Sequence, residues 1–318
     1  MVRLVSKVLL AGLSVALVAG SLVRSRPSPR RRSHEPRLDG EALIASDGAR
    51  LPIISWQPGQ AVEAVVLGLH GYGDYCRAFS LAGPWFADRR FVFYAYDQRG
   101  FGETESRGLW PGMEALIEDL ADAVAALRER HEGIPLTVLG ESMGGSVALG
   151  ALGTGRAAGV DRLILAAPGV RGDIPLRQLH DLALRLAVLA LPWLAVELRR
   201  GARPWLAPEE AARLADDPLV LRALSVGTYD GLIELAELAS AEPQVDLPPT
   251  LLLHGALDRT VPRGAIHTLA EMLGDAVTLR LYPERHHLLL HEVDAERVLA
   301  DCLDWIKGRP PGNGGAGG

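Results

Sequence analysis

Eight short apolar runs punctuate the chain: EALIAS (41–46), LPIISW (51–56), AVVLGLH (64–70), FVFYAYD (91–97), LTVLGE (136–141), RLILAAP (162–168), TLLLHG (250–255) and VTLRLY (277–282). Short runs with so few polar positions predict strands buried on both faces. Between them the period changes. In residues 113–131 the apolar positions Leu116, Leu120, Val124 and Leu127 fall three or four apart, one face of a helix. Residues 262–273 and 294–306 read the same way. Alternating strands and helices predict an α/β fold, a mostly parallel central sheet flanked by helices. From about Gly169 to Asp246 the alternation stops, and the stretch reads as helices throughout. It follows the sixth predicted strand, at the carboxyl edge where open α/β sheets bind ligands, so it is placed to be a lid. Its first segment, from Leu182 through Trp193 to Val196, is apolar around most of its circumference. Packing against the main domain explains much of that; a substrate channel or a membrane contact explains the rest.

The ends of the chain differ from its middle. Val8–Val23 is a continuous apolar run behind a basic start, shorter than the roughly 20 residues of a spanning helix. Val18-Ala19-Gly20 offers a cleavage site, and Ser21 stands where a lipidated cysteine would be, so lipid attachment is not supported. A Pro- and Arg-rich linker follows. The reading is a membrane-associated or exported protein, with an anchor or uncleaved signal favoured over a cleaved one and a cytoplasmic location disfavoured. The tail from residue 308 is Gly/Pro-rich and reads as disordered. The expected division is a signal or anchor and basic linker (1–39), a core (40–168 and 247–307), a helical insertion (169–246) and the tail (308–318).

Charge sharpens this division. Residues 1–39 hold eight Arg or Lys against two acids, a net of +6, which leaves −12 on the remainder of a chain whose total is −6. An acidic body argues against a nucleic-acid partner, while the basic start suits an anionic membrane surface. Cys76 and Cys302 form no C-x-x-C pair, and two separate half-buried thiols are expected rather than a disulfide. No cofactor is indicated.

The chemistry begins at Gly140-Glu141-Ser142-Met143-Gly144, the pattern G-x-S-x-G. It lies between a predicted strand and a predicted helix, the context a nucleophile elbow requires. A serine hydroxyl needs a base, and the base needs an orienting carboxylate. Asp258 follows the strand TLLLHG, and His286, His287 and His291 follow VTLRLY. The order Ser, acid, His is the one expected of this architecture. His267 falls inside a helix and His291 further on, in what reads as the next helix; pattern alone does not separate His286 from His287. No carboxylate follows His287 and His291 in a zincin arrangement, so no metal site is read there. The turn His70-Gly71-Tyr72-Gly73 ends a strand, so the backbone N–H groups of Tyr72 and Met143 are the candidate oxyanion donors. His70 reads as a loop organiser.

With LHGYGDY, YAYDQRGFGE, GESMGGSVAL, LLLHGALDRTVP and YPERHHLLLHE the chain resembles the α/β-hydrolases, and within them the monoacylglycerol lipase and lysophospholipase branch, grouped with S33-type serine aminopeptidases. The resemblance spans residues 65 to 292. It implies Ser142 as nucleophile, Asp258 as acid and the Tyr72 and Met143 amides as oxyanion donors. Counting five positions from Tyr282, it implies His287 as base. It implies a structural role for Asp97 and Arg99, and a cap gating an acyl pocket, with Trp193 and Leu194 as expected substrate contacts. The expected function is a serine carboxylester hydrolase acting on single-chain lipid esters. Two alternatives stand beside it: an aminopeptidase, which needs carboxylates such as Glu197, Glu234 or Glu237 to hold an amine, and a non-catalytic lipid-binding protein on the same fold.

Overall fold

The computed structural model describes residues 32–172, 177–197 and 203–309. The apolar run Val8–Val23, most of the Arg-rich linker and the tail from residue 310 lie outside them.

Nine strands among the described residues form one sheet, in the order β1-β2-β3-β5-β4-β6-β7-β10-β11. They are β1 Arg37–Asp39, β2 Ala42–Ile44, β3 Arg50–Trp56, β4 Ala64–Leu69, β5 Phe91–Tyr96, β6 Leu136–Glu141, β7 Arg162–Ala166, β10 Thr250–Gly255 and β11 Val277–Tyr282. The strands from β5 to β11 across this order run parallel, and β1 to β3 are antiparallel. The central strands are buried at every position because helices cover both faces. Val65, Leu67 and Leu69 face α2 (Met113–Arg130), α3 (Met143–Gly153) and α7 (Arg263–Leu273). Val66, Phe91 and Phe93 face α1 (Ala82–Ala87) and α8 (Ala295–Ile306). Residues alternate faces along each strand, so a continuous apolar run fills two cores at once.

Three sequence readings are corrected. The segment read as linker is structured at its end: Arg37–Asp39 pairs with Ala42–Ile44, and Leu38 packs on the core. A three-residue strand is too short to show a period. It makes the insertion follow the seventh strand rather than the sixth. Second, the insertion is not helical throughout. Beside α4 (Arg177–Ala190), α5 (Pro208–Asp216) and α6 (Val226–Ala239) it holds a two-stranded ribbon, β8 Ala195–Glu197 against β9 Ala223–Ser225. The ribbon ends where the Ser225 hydroxyl caps α6 by accepting from the Thr228 amide. Third, the apolar surface of the first segment is not absorbed by packing. Leu184, Ala187 and Val188 are half-buried, but Leu182, Leu186 and Leu189 are 55%, 58% and 69% exposed, and Trp193, Leu194 and Val196 extend the apolar surface.

Cys76 and Cys302 are free, and both are buried rather than half-buried. They sit in the same aromatic-rich core layer, and burial pushes both thiols well above their ordinary pKa.

Candidate active site

The loops that leave the carboxyl ends of adjacent strands meet at one edge. Ser142 follows β6, the turn at Tyr72 follows β4, Asp258 follows β10 and His287 follows β11. Between β6 and β10 runs β7, which feeds the insertion.

Ser142 has φ 50° and ψ −116°, one of three non-glycine residues with positive φ among those described. Such a conformation costs about 1–3 kcal/mol and persists only where its surroundings impose it. The surroundings are tight. A Cβ on Gly140 would lie 2.7 Å from the Gly144 carbonyl oxygen, and one on Gly144 would lie 2.1 Å from that of Leu69. Glycine at both positions is what lets strand, turn and helix close this sharply.

His287 Nε2 lies 3.0 Å from Ser142 Oγ, and His287 Nδ1 lies 2.8 Å from Asp258 Oδ2. Burial alone would raise the Asp258 pKa, but hydrogen bonds from His254 and His287 hold it well below the usual carboxylate range. An ionised carboxylate can only accept. His287 Nδ1 therefore carries the proton, and Nε2 is left to accept from the Ser142 hydroxyl. The other oxygen, Asp258 Oδ1, accepts from the amides of Thr260 and Val261 at 2.6 and 3.1 Å, so the turn fixes the carboxylate. His254 Nε2 stands 3.4 Å from Asp258 Oδ2. His254 sits inside the apolar run of β10, where no pattern marks it as part of a site.

His286 does not reach Ser142. Its ring stacks on Trp205 with centroids 3.9 Å apart, and its amide donates to Glu292 Oε1. His267 lies within α7. His291 is not in the following helix, which starts only at Ala295; it is buried in the loop before it. There it joins Glu141 Oε2 and Glu210 Oε2, each 2.8 Å away. Burial opposes charge on this imidazole, but Glu141 and Glu210 raise its pKa to about 10. Arg213 binds Glu210 and also reaches both oxygens of Asp74, at 2.5 and 2.9 Å. A chain of ionic contacts thus runs from the loop holding Tyr72, through α5 of the insertion, to the residue preceding Ser142. Its members are 81 and 150 positions apart around His291 alone. No spacing rule could have found it.

The turn after β4 is built for close approach: a Cβ on Gly71 would lie 3.3 Å from Ser142 Cβ. His70 Nε2 accepts from the Gln98 amide, so its Nδ1 must donate to the Gly71 carbonyl. Burial lowers its pKa in keeping with this neutral form. The first N–H groups of a helix have no intrahelical partner, so the Met143 amide at the start of α3 is left unspent within the helix. Tyr72 also donates its hydroxyl to the Ala223 carbonyl in the ribbon. Asp97 accepts from the amides of Cys76 and Glu103, and Arg99 binds Asp119, which are scaffold contacts.

Trp193 and Leu194 are 56% and 42% exposed, between α4 and the ribbon. Glu197 and Glu234 are exposed, and Glu237 is paired with Arg171.

Residues 60–294 match the family model described as serine aminopeptidase, S33. A monoacylglycerol lipase from Mycolicibacterium smegmatis is 25% identical over 262 residues, 81% of this chain and 93% of its own. A monoglyceride lipase from Mus musculus is 26% identical over 290 residues, 89% of this chain and 95% of its own. A soluble variant of the Saccharomyces cerevisiae monoglyceride lipase, solved with a substrate analog, superposes with a TM-score of 0.70 over 89% of this chain and 98% of its own, at 21% identity. That last likeness shows the α/β-hydrolase fold.

Proposed function

The chain belongs to the serine aminopeptidase S33 family of α/β-hydrolases, and from that premise we propose that it is a serine carboxylester hydrolase cleaving single-chain lipid esters. The observation that carries the reading is the contact chain from a strained Ser142 to His287 at 3.0 Å and on to Asp258 at 2.8 Å. Ser142 Oγ attacks the acyl carbonyl while His287 Nε2 takes its proton. The Tyr72 and Met143 amides stabilise the oxyanion. His287 then protonates the departing alcohol, leaving an acyl-enzyme. Water, deprotonated by the same imidazole, releases the acid. Asp258 stays ionised throughout and stabilises the imidazolium. The insertion acts as a cap over this edge.

An apolar acyl chain is supported by the monoacylglycerol lipases among the relatives. The exposed Leu182, Leu186 and Leu189 suit contact with a lipid surface. We extend the reading to a membrane-associated or exported enzyme, with the run Val8–Val23 as anchor or signal. Among the described residues no helix is long and apolar enough to cross a membrane. Fractionation with and without residues 1–36 tests the location.

A fluorophosphonate probe tests the chemistry. Stoichiometric labelling is expected, and Ser142→Ala abolishes it. A folded wild type that takes no label, or a Ser142→Ala variant that still does, refutes the proposal.

A further inference from the structure

Four consecutive residues of the turn after β4 are tied to the insertion. The Tyr72 hydroxyl donates to the Ala223 carbonyl at 2.8 Å, and the Gly73 carbonyl accepts from the Leu221 amide at 2.8 Å. Asp74 takes both arms of the Arg213 guanidinium, and the Tyr75 hydroxyl donates to Asp217 Oδ2 at 2.5 Å. The partners all lie in one short stretch, from Arg213 near the end of α5 to Ala223 where β9 begins. The body of the protein grips this turn at its two ends. The Gly71 carbonyl accepts from His70 and from the Asp74 amide, and the Cys76 amide donates to Asp97. Between those ends stand two glycines, Gly71 and Gly73, the latter at φ 79°. Glycine lets the chain turn here but lends it no stiffness. The place of the Tyr72 amide therefore depends on what holds the turn from outside.

The same turn of α5 reaches the segment of the second expected donor. Glu210 and Arg213 stand three positions apart on one helix face and bind each other. Arg213 holds Asp74, two residues after Tyr72. Glu210 holds His291, and His291 holds Glu141, two residues before Met143. Asp74, Glu210, His291 and Glu141 are all buried. The bidentate contact of Arg213 with Asp74 fixes direction as well as distance, because two parallel donors meet two acceptors. One stretch of the insertion thus grips the chain on both sides of the place where the oxyanion would form.

We propose that Arg213 and Asp217 of the insertion are positioning residues for the oxyanion hole, which reaches its working geometry only while the insertion is seated on the turn after β4. This rests on the hydrolase reading above, with the Tyr72 and Met143 amides as donors. Neither Arg213 nor Asp217 touches the reacting atoms in this role; each acts through the backbone it holds. An oxyanion donor works at about 3 Å from the developing charge, and a misplacement of about 1 Å costs on the order of a hundredfold in rate. The insertion then does more than cover the substrate: it completes the site that it covers.

The test separates kcat from KM on a dissolved p-nitrophenyl ester and adds an alkyl trifluoromethyl ketone as inhibitor. Ser142 Oγ adds to the ketone carbon, its proton passes to His287, and the resulting hemiketal oxyanion occupies the hole. Tyr72→Phe with Tyr75→Phe deletes two hydroxyl contacts to the insertion and leaves rings and backbone in place. A fall in kcat of about tenfold is expected, with KM within about twofold and a parallel loss of ketone affinity. Arg213→Gln should lower kcat by about a hundredfold, and Arg213→Lys, a single point donor, should restore part of it. Where Arg213→Gln does not fold, the tyrosine pair carries the test. Arg107→Gln is the control: it removes an exposed contact to the Pro218 carbonyl that does not involve the turn, and kcat should stay within about twofold. Unchanged kcat and ketone affinity in the tyrosine pair overturn the proposal. So does a rise in KM at constant kcat, or an equal loss in Arg107→Gln. If the wild type takes no fluorophosphonate label, the hydrolase reading falls by itself. Amide hydrogen exchange at residues 71–75 then judges the grip: faster exchange in Arg213→Gln retains it, and unchanged exchange overturns it.

Discussion

Replacing His291 by leucine removes the one cation between Glu141 and Glu210. Glu210 keeps Arg213 at 2.8 Å, but Glu141 loses its contact at Oε2, and its Oε1 has no partner already. Removing one member of a buried pair costs about 3–5 kcal/mol. The lower half of that range is expected, because one of the two carboxylates stays compensated. For a folded part of this size the melting temperature falls by roughly 2 °C per kcal/mol, so a drop of about 6–8 °C is the expected reading by tryptophan fluorescence. His291→Leu with Glu141→Leu should recover most of it, since an apolar pair of similar volume replaces a charged one at little cost. The wild type should also show a pH signature. The folded pKa, about 10, lies above the ordinary 6.5. The stabilisation is therefore complete below pH 6.5 and is lost as pH rises toward 10, by up to roughly 5 kcal/mol. His291→Leu lacks that slope. A melting temperature within 2 °C of wild type, or a double variant no better than the single, refutes the argument that the cluster is an ionic clamp.

Asp258→Asn leaves the fold intact, but with its oxygen still held by the Thr260 and Val261 amides it offers Nδ1 an NH2 donor in place of an acceptor; kcat on a p-nitrophenyl ester should fall by about four orders of magnitude. Gly144→Ala forces a Cβ to 2.1 Å from the Leu69 carbonyl, so a loss of about 3 kcal/mol or more is expected by thermal unfolding, whereas Gly264→Ala, with nothing within 4 Å, should be neutral or stabilising by less than about 1 kcal/mol. Replacing Leu182, Leu186 and Leu189 together by serine should lower turnover of vesicle-borne monoacylglycerol about tenfold more than turnover of a dissolved short-chain ester, in keeping with the apolar area lost; equal effects on both would place lipid contact elsewhere.

The centre of the sheet was legible because its strands are buried on both faces, and the partly exposed edge strand β11 because apolar residues still dominate it. LTVLGE, TLLLHG and VTLRLY match β6, β10 and β11 residue for residue. An unbroken apolar run has sharp edges, and its first polar or glycine neighbour marks the turn that carries Ser142 or Asp258. Short elements were not legible. Arg37–Asp39 and the ribbon span three residues each, and their pairing depends on partners that lie elsewhere in the chain. Exposure was not legible either. Leu186 and Leu184 look alike in sequence, and only the packing of α4 says which faces outward. The order Ser142, Asp258, His287 could be read because each follows a strand. The ionic chain through His291 could not, since its members come from the turn after β4, from α5, from the loop before α8 and from the end of β6.

The two buried thiols give the molecule a quiet chemical background. A thiol reacts as its thiolate, and both Cys76 and Cys302 are held in the neutral form by burial. A cysteine introduced at Leu186, in the open on α4, would be the one fast-reacting thiol on the described surface. A maleimide fluorophore placed there without removing either native cysteine would report whether the insertion meets a vesicle.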